Sequence, residues 1–479
     1  MNHISFSTRY IIVSLALTFY IHFLFGQSSD TFTLQNNVQF WLTDPNQNIL
    51  FEKQQFTGGY QGKKNNLAEI IIDDKKIYQS MDGFGFTLTG GSARLINEMS
   101  DVEKDKLLTE LFSVDGNNIG ISYLRLSIGA SDLSDSVFSY NDLNRGETDL
   151  HMEQFSIAPE RKHLIPVLRQ ILTINPNILI MGSPWSAPSW MKTNNNAKGG
   201  RLRKDCFDAY ARYFVKYINE MESEGIRIDA ITVQNEPLHP GNNPSMYMSA
   251  DDQAAFVKQS LGPAFASANI DTKIIIYDHN ADRTDYPISI LNDSLARKYI
   301  NGSAFHLYGG TINDLLKVHE AHPDKHLYFT EQWIGAPGNF PADLSWHTEN
   351  LIIGASRNWC KNVLEWNLAA DILHEPHTDK GGCTRCLGAV TIDGDRVIRN
   401  PAYYIVAHAS KFVRPCSVRI ESSMPDKLPN VAFKTLNGDL VLIVLNKNET
   451  ITDFNIDING QSLTTRLNGG AVGTYIFGL

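Results

Sequence analysis

The sequence predicts an α/β chain: a (β/α)8 barrel with an accessory β-sandwich formed from both chain ends. Three observations predict it. Short β-rich apolar runs alternate with amphipathic segments through the middle of the chain, as successive βα units require. Both ends instead alternate apolar and polar residues with period two, as in Val38-Gln39-Phe40-Trp41-Leu42. No Gly-rich phosphate loop follows the first central strand. Gly83-Phe84-Gly85 is too short for one and runs into Phe86-Thr87-Leu88, a strand pattern. That ranks a doubly wound open sheet behind the closed barrel.

The elements follow in order. Arg9 precedes an almost wholly apolar stretch, Ile11–Phe25, and then Gly26-Gln27-Ser28-Ser29. This pattern reads as a secretory signal peptide over residues 1–26. A spanning helix needs about 20 apolar residues, so stable membrane insertion after cleavage is not expected, and the destination is secreted or periplasmic. Residues 27–75 read as the first strands of the sandwich. Barrel strands are expected at Met81–Leu88, Ile121–Ile128, Ile178–Ser183, Ile228–Asn235, Lys273–Tyr277, Ala304–Leu307, Leu327–Thr330 and Val363–Leu368. Amphipathic segments such as Lys104–Leu111, Leu164–Ile174, Cys206–Glu222 and Asp251–Leu261 lie between them. The barrel is placed at 76–408 and the C-terminal part of the sandwich at 409–479. There, short strands such as Leu440–Leu445 and Thr474–Phe477 are separated by Asn-Gly, Lys-Asn and Gly-Gly turns.

Length and charge narrow the function. A chain of 479 residues exceeds a single core, so a large domain with a smaller companion is expected. A formal net charge of −10 argues against nucleic acid or an anionic membrane as partner. Seven Trp and 18 Tyr suit a neutral saccharide, whose apolar faces stack on rings. Five cysteines include the close pair Cys383 and Cys386 in a Gly-rich loop. That pair could be a local disulfide, two free thiols or half of a zinc site. A zinc site needs four ligands, and neither a second CxxC nor a matching His pair is present, so no metal or cofactor is expected.

Two glutamates carry the chemistry. Glu236 ends Ile231-Thr232-Val233-Gln234-Asn235, and Glu331 ends Leu327-Tyr328-Phe329-Thr330. Each stands where a buried-strand pattern gives way to a loop, and Glu is seldom buried unless paired. At the ends of the fourth and seventh strands of one barrel, both would face the same mouth. A carboxylate pair across a cleft is the apparatus that cleaves glycosidic bonds. Arg125 on the second strand could keep one carboxylate ionised. Asn235 could donate to a sugar hydroxyl. Trp185 after the third strand and Trp366 on the eighth could clasp a sugar ring between them. His306 and Tyr308 at the end of the sixth could bond a carboxylate or the sugar. Each also has a plainer reading: an ion pair for Arg125, a turn cap for Asn235, core packing for the tryptophans, a satisfied buried imidazole for His306.

Taken together, Asn235-Glu236-Pro237, Thr330-Glu331-Gln332, Gly83-Phe84-Gly85, Ser183-Pro184-Trp185-Ser186-Ala187-Pro188, Lys192-Thr193-Asn194 and Glu365-Trp366-Asn367-Leu368 resemble glycoside hydrolase family 30 over nearly the whole mature chain. That family includes the lysosomal glucosylceramidase and microbial β-1,6-glucanases. The resemblance implies hydrolysis with retention, Glu236 as acid/base and Glu331 as nucleophile, with Arg125, Trp185, Asn235, His306, Tyr308 and Trp366 lining the sugar subsite. One departure stands out. A Thr-Asp that grips glucose in the glucosylceramidase pattern is here Thr89-Gly90, with Asp278 and His279 as candidate replacements. The expected substrate is β-1,6-glucan, with a β-glucosyl lipid or β-xylan as alternatives. A different class, a silent carbohydrate-binding protein on the same barrel, would have lost a glutamate. A metal-dependent hydrolase would need paired ligands, and His239, His279 and His306 are scattered over three strand ends.

Overall fold

The structure is a computed structural model that describes residues 38–60 and 65–478. The expected signal segment, and the sandwich residues expected before 38, lie outside the described residues. The central sheet is a closed parallel barrel of β1 (Gly83–Leu88), β2 (Tyr123–Ser127), β3 (Leu179–Ser183), β4 (Ala230–Thr232), β5 (Lys273–Asn280), β6 (Ile300–His306), β7 (His326–Glu331) and β8 (Cys360–Asn367). β8 pairs with β1 to close it. Tyr123, Met181, Ala230, Ile275, Ala304, Tyr328 and Leu364, one from each of β2 to β8, fill the interior as a buried layer. The barrel is therefore a packed core, and ligands are confined to its C-terminal mouth. Gly85 is required by close approach, because a Cβ there would sit 1.9 Å from the Tyr123 carbonyl oxygen.

Two strands differ from expectation in ways that matter for the mouth. The β4 ladder has only three residues, and Glu236 stands four residues beyond it at a positive φ of 44°. β5 runs past Tyr277 to Asn280, with positive φ at Tyr277 (73°) and Asp278 (69°) and an irregular register against β6. Successive side chains of a regular strand point to opposite faces. The kink breaks that alternation: His279 lines the mouth, while Asp278 turns into the barrel interior beneath it.

Helices α1 (Gly90–Glu98), α2 (Asp101–Phe112), α3 (Leu164–Ile174) and α4 (Phe207–Ser223) surround the barrel. On α3, Leu164, Ile165, Leu168 and Ile171 are buried, the inward stripe of a 3.6-residue period. The amphipathic stretch at 251–261 is part of a longer helical run, Ala250–Phe256, Val257–Leu261 and Gly262–Ser267, whose middle turn is a π-helix.

The sandwich draws on both chain ends. Strand Val38–Asp44 pairs antiparallel with the last strand, Val472–Phe477. Strand Ala68–Ser80 pairs antiparallel with Val418–Ser422 and parallel with Thr452–Ile458. Leu42, Ile70 and Ile72 share one core with Leu442, Phe454 and Tyr475. Ala68–Ser80 runs through the boundary placed at 75/76, and Ser80 is still paired with Val418. Helix Pro401–Ser410 is wholly buried. Its His408 contacts Thr474 through Nδ1 and Thr43 through Nε2, each at 2.8 Å, which ties the helix to both chain ends. Cys383 and Cys386 form a disulfide, while Cys206, Cys360 and Cys416 are free.

Candidate active site

A cavity of about 410 Å³ opens at the barrel mouth, and Glu236 and Glu331 both line it. An oxygen of each glutamate and a ring nitrogen of His306 lie within 4.8 Å of one another. The two carboxyls, expected at the ends of strands four and seven, do meet in one pocket.

Arg125 and Asp278 form the buried centre that holds them. Arg125 is fully buried. Its Nη1 donates to Glu331 Oε2 at 2.7 Å, its Nη2 to Asn235 Oδ1 at 2.6 Å and Asp278 Oδ2 at 2.8 Å, and its Nε to Ser183 Oγ at 3.1 Å. Asp278, also fully buried, accepts from Thr232 Oγ1 at 2.7 Å, Ser183 Oγ at 3.2 Å and Thr330 Oγ1 at 2.6 Å, and contacts His306 Nε2 at 3.1 Å. Burial alone would raise its pKa, but Arg125 and His306 hold the carboxyl far below the usual carboxylate range. Asp278 was expected to offer a polar group to the sugar; it faces the barrel interior instead, beneath the pocket floor. His279, its neighbour, does line the pocket.

His306 bridges the three carboxyls. Nδ1 lies 3.3 Å from Glu236 Oε1 and 3.8 Å from Glu331 Oε1. Burial opposes its protonation, but the charge of Glu331 and the bonds to Asp278 and Glu236 push the imidazole up to about 9. Burial pushes His279 the other way, down to about 4, against the pull of Glu236. Tyr308 donates its hydroxyl to Glu331 Oε1 at 3.0 Å, and Asn242 Nδ2 donates to Glu236 Oε2 at 3.1 Å. Glu236, His306 and Glu331 have the spacing of a three-donor cation site. The positive charge is already supplied there by Arg125, which is bonded to Glu331.

The tryptophans do not clasp a ring between them. Trp185 and Trp366 pack on each other, with centroids 5.4 Å apart and planes tilted by 32°. Trp185 is buried behind Trp366, which lines the cavity together with Trp333. The Arg125 guanidinium lies 4.8 Å from the Trp185 ring centroid and 5.8 Å from that of Trp366. The rings come from the loop after β3 and from β8, strands that β1 and β2 separate around the barrel, and the Arg125 guanidinium lies against both.

Sequence reasoning missed several lining groups. Asp132, in the loop after β2, lines the cavity with its carboxyl almost wholly buried. Burial, reinforced by the charges of Glu331 and Glu236, pushes it up to about 8. It places a carboxyl in the pocket where Gly90 offers none; Gly90 lies against Ser134, outside this cavity. The signal was present, since Asp132 follows a barrel strand just as Glu236 does. Asn242, Asn280 and the Cys383–Cys386 disulfide complete much of the rest of the wall.

A closed (β/α)8 barrel with two carboxyls meeting in one saccharide-sized pocket defines a glycoside hydrolase. The chain belongs to glycosyl hydrolase family 30: residues 81–413 match the Glycosyl hydrolase family 30 TIM-barrel domain, and residues 417–475 match the Glycosyl hydrolase family 30 beta sandwich domain. It is 35% identical over 377 residues to the endo-1,6-beta-D-glucanase neg1 of Aspergillus fumigatus, covering 74% of this chain and 75% of the relative. It is 27% identical over 448 residues to the lysosomal acid glucosylceramidase of Mus musculus, covering 88% of this chain and 85% of that one. Among solved structures, the endo-beta1,6-glucanase BT3312 superimposes with a TM-score of 0.86 at 33% identity, over 92% of this chain and 99% of the other.

Proposed function

We propose that this protein is an exported retaining β-glucanase that cleaves β-1,6-linked glucan by double displacement, with Glu331 as nucleophile and Glu236 as acid/base. The observation that carries this reading is the short separation of the two carboxyls, with oxygens within 4.8 Å. Retaining enzymes hold the pair about 5–5.5 Å apart, whereas inverting ones leave about 6.5–9.5 Å for a water between them.

Charge balance supports the chemistry. Asp278, Glu236 and Glu331 offer three negative charges against two from Arg125 and His306, so neutrality leaves room for one proton on the glutamate pair. That proton is what a general acid needs. Position supports the division of roles. Glu331 is gripped by Arg125 and Tyr308, which fix its oxygens as a nucleophile requires. Glu236 stands at a turn of the β4 loop beside Asn242. In the free site the balance runs the other way. Burial, opposed by His306 and Arg125 and reinforced by Glu236, lifts Glu331 above the usual range. At Glu236 the upward push of burial is outweighed by His306, His279 and His239. The acid role requires the shared proton to be on Glu236 when the leaving oxygen departs.

The sugar is held by groups that remain available at the pocket surface. Asp132 accepts from or donates to hydroxyls, and Trp366 offers a ring face. Asn235, buried beside the cavity and anchored through Oδ1 by Arg125, has its Nδ2 free to donate toward the 2-hydroxyl. The substrate follows the relatives at 33–35% identity, whose names specify β-1,6-glucan. Export follows the apolar N-terminal stretch and the disulfide, which persists in oxidising compartments.

A second reading, hydrolysis of a β-glucosyl lipid, draws on Ile372 and Leu373, exposed apolar residues in the loop after β8. One experiment separates the readings. Purified protein is incubated with β-1,6-glucan, β-xylan and glucosylceramide, and the anomer first released is followed by NMR. The expected result is β-configured product from β-1,6-glucan. Initial release of the α-anomer refutes retention, and turnover of glucosylceramide or β-xylan alone refutes the glucan assignment.

A further inference from the structure

The Cys383–Cys386 disulfide is an unusual wall for a sugar pocket. Both cysteines line the cavity that holds Glu236 and Glu331. Cys386 is buried against Trp185, Trp366 and Leu133, with Cys383 and Trp333 at the edge of that cluster. Divalent sulfur is polarisable and weakly hydrated, a surface suited to the C–H face of a pyranose.

The disulfide also sits at a critical point of the loop after β8, residues 371–388. At one end of the span the Thr378 N–H donates to the Asp132 carbonyl at 2.9 Å, in the loop after β2. Asn243 Nδ2 donates to the Asp379 carbonyl at 2.7 Å, and Lys198 Nζ to that of Lys380 at 2.6 Å, from the loops after β4 and β3. At the other end, Cys386–Leu387 pairs antiparallel with Ile334–Gly335, just beyond Glu331. The Ala336 N–H donates to the Arg385 carbonyl at 2.8 Å. The loop thus runs from the β2–β4 side of the mouth to the β7 side. Between the Lys380 and Arg385 anchors the chain turns at Gly381, with φ 148°, and Gly382. The disulfide closes the four residues that follow.

We propose that the Cys383–Cys386 disulfide is a specificity-determining element of the pocket: it holds the β8 loop across the barrel mouth and is the surface against which the bound β-glucosyl residue rests beside Trp366. This rests on the reading of the pocket as the site of a β-glucosidase chemistry. The carboxyls are held by Arg125, Tyr308, His306 and Asn242 and not by the disulfide, so its loss affects binding rather than the chemical step.

The test uses the full chain. Dithiothreitol reduces the bond, two thiols form, and the reagent is oxidised to its cyclic disulfide. Under denaturing conditions the thiol count rises from three to five. On p-nitrophenyl β-D-glucopyranoside, KM rises about tenfold while kcat changes less than about twofold, the signature of lost uniform binding. Reoxidation restores KM, and the Cys383→Ser/Cys386→Ser double variant reproduces the reduced enzyme. An unchanged KM overturns the proposal. So does a fall in kcat and in the melting temperature with KM unchanged, which assigns the bond to the scaffold alone. Should the oxidised enzyme turn over neither this glucoside nor β-1,6-glucan, the functional reading fails on that arm. The wall is then read by calorimetry, titrating a β-1,6-linked glucotriose into oxidised and reduced protein. Weaker binding to the reduced form supports the proposal; equal affinity, or binding to neither, overturns it.

Discussion

Arg125 and Asp278 form a fully buried ion pair at 2.8 Å, and the same guanidinium reaches Glu331 at 2.7 Å. The reactive carboxyl is thus held by a cation that is itself held by a second carboxylate. Removing one member of a buried pair leaves the other charged and unsolvated, at a cost of about 3–5 kcal/mol. Asp278→Ala should lose stability on that scale in urea denaturation and lose kcat as Arg125 shifts. An Asp278→Ala variant with wild-type stability and turnover would mean that the pair positions nothing.

The two glutamates should fail differently. Glu331→Ala should abolish turnover of every glycoside, because no covalent intermediate can form. Glu236→Ala should lose about 10²–10⁴-fold on glucan, the usual contribution of a positioned acid. It should keep most of its first-step rate on aryl glycosides whose leaving group needs no proton. Rate measurements on both substrates check this; equal losses on both would show the roles to be wrongly assigned.

The stacked tryptophans separate packing from binding. Trp366→Ala removes a pocket face, and its main effect should be a raised KM for glucan. Trp185→Ala empties a buried site, and should cost about 3–5 kcal/mol of stability. Thermal melts and steady-state kinetics on the two variants distinguish them. A stability loss confined to Trp366→Ala would reverse the arrangement described.

Asp132 gives the protein a pH dependence of known sign. Burial and the charges of Glu331 and Glu236 hold its folded-state pKa at about 8, above the ordinary 3.8 of an aspartate. Between those values the folded state binds more protons than the unfolded one, so stability falls as pH rises. The contribution is complete below the unfolded pKa and is lost as pH passes through about 8. His306, raised to about 9 from 6.5, acts in the same direction between those values. Wild type should therefore lose more stability between pH 5 and 8 than Asp132→Asn does, and the difference between the two melting curves is the Asp132 contribution. An identical slope in the variant would place Asp132 at an ordinary pKa.

Much of this site was legible in the sequence because a charged residue at the end of an apolar strand is conspicuous. Glu236 and Glu331 stand out that way, and Arg125 stands out as a lone charge inside the apolar run Tyr123-Leu124-Arg125-Leu126. Asp278 was visible as a polar strand end, but its role depends on partners from five strands: Arg125, Ser183, Thr232, His306 and Thr330. No spacing encodes that convergence; the closed barrel creates it. The kink at Tyr277 and Asp278 was equally hidden, since neither residue type announces a positive φ. Trp185 and Trp366 are placed at one rim by the sequence, but only the fold shows that they pack on each other instead of holding a sugar between them. The state of Cys383 and Cys386 was open for a related reason, as two residues between cysteines permit a disulfide, thiols or a metal clamp. The two-ended sandwich was legible from period-two alternation at both termini, but not that Ala68–Ser80 would pair to its last residue.

The central claim is that Glu331 forms a covalent bond to the sugar. Incubation with a 2-deoxy-2-fluoro-β-glucoside carrying a good leaving group slows release of the intermediate and traps it for peptide mass spectrometry. The account predicts one added fluoroglucosyl group per chain, on the peptide containing Glu331, with none in Glu331→Gln. Label on the peptide containing Glu236, or turnover with no trapped species at any concentration, would contradict it.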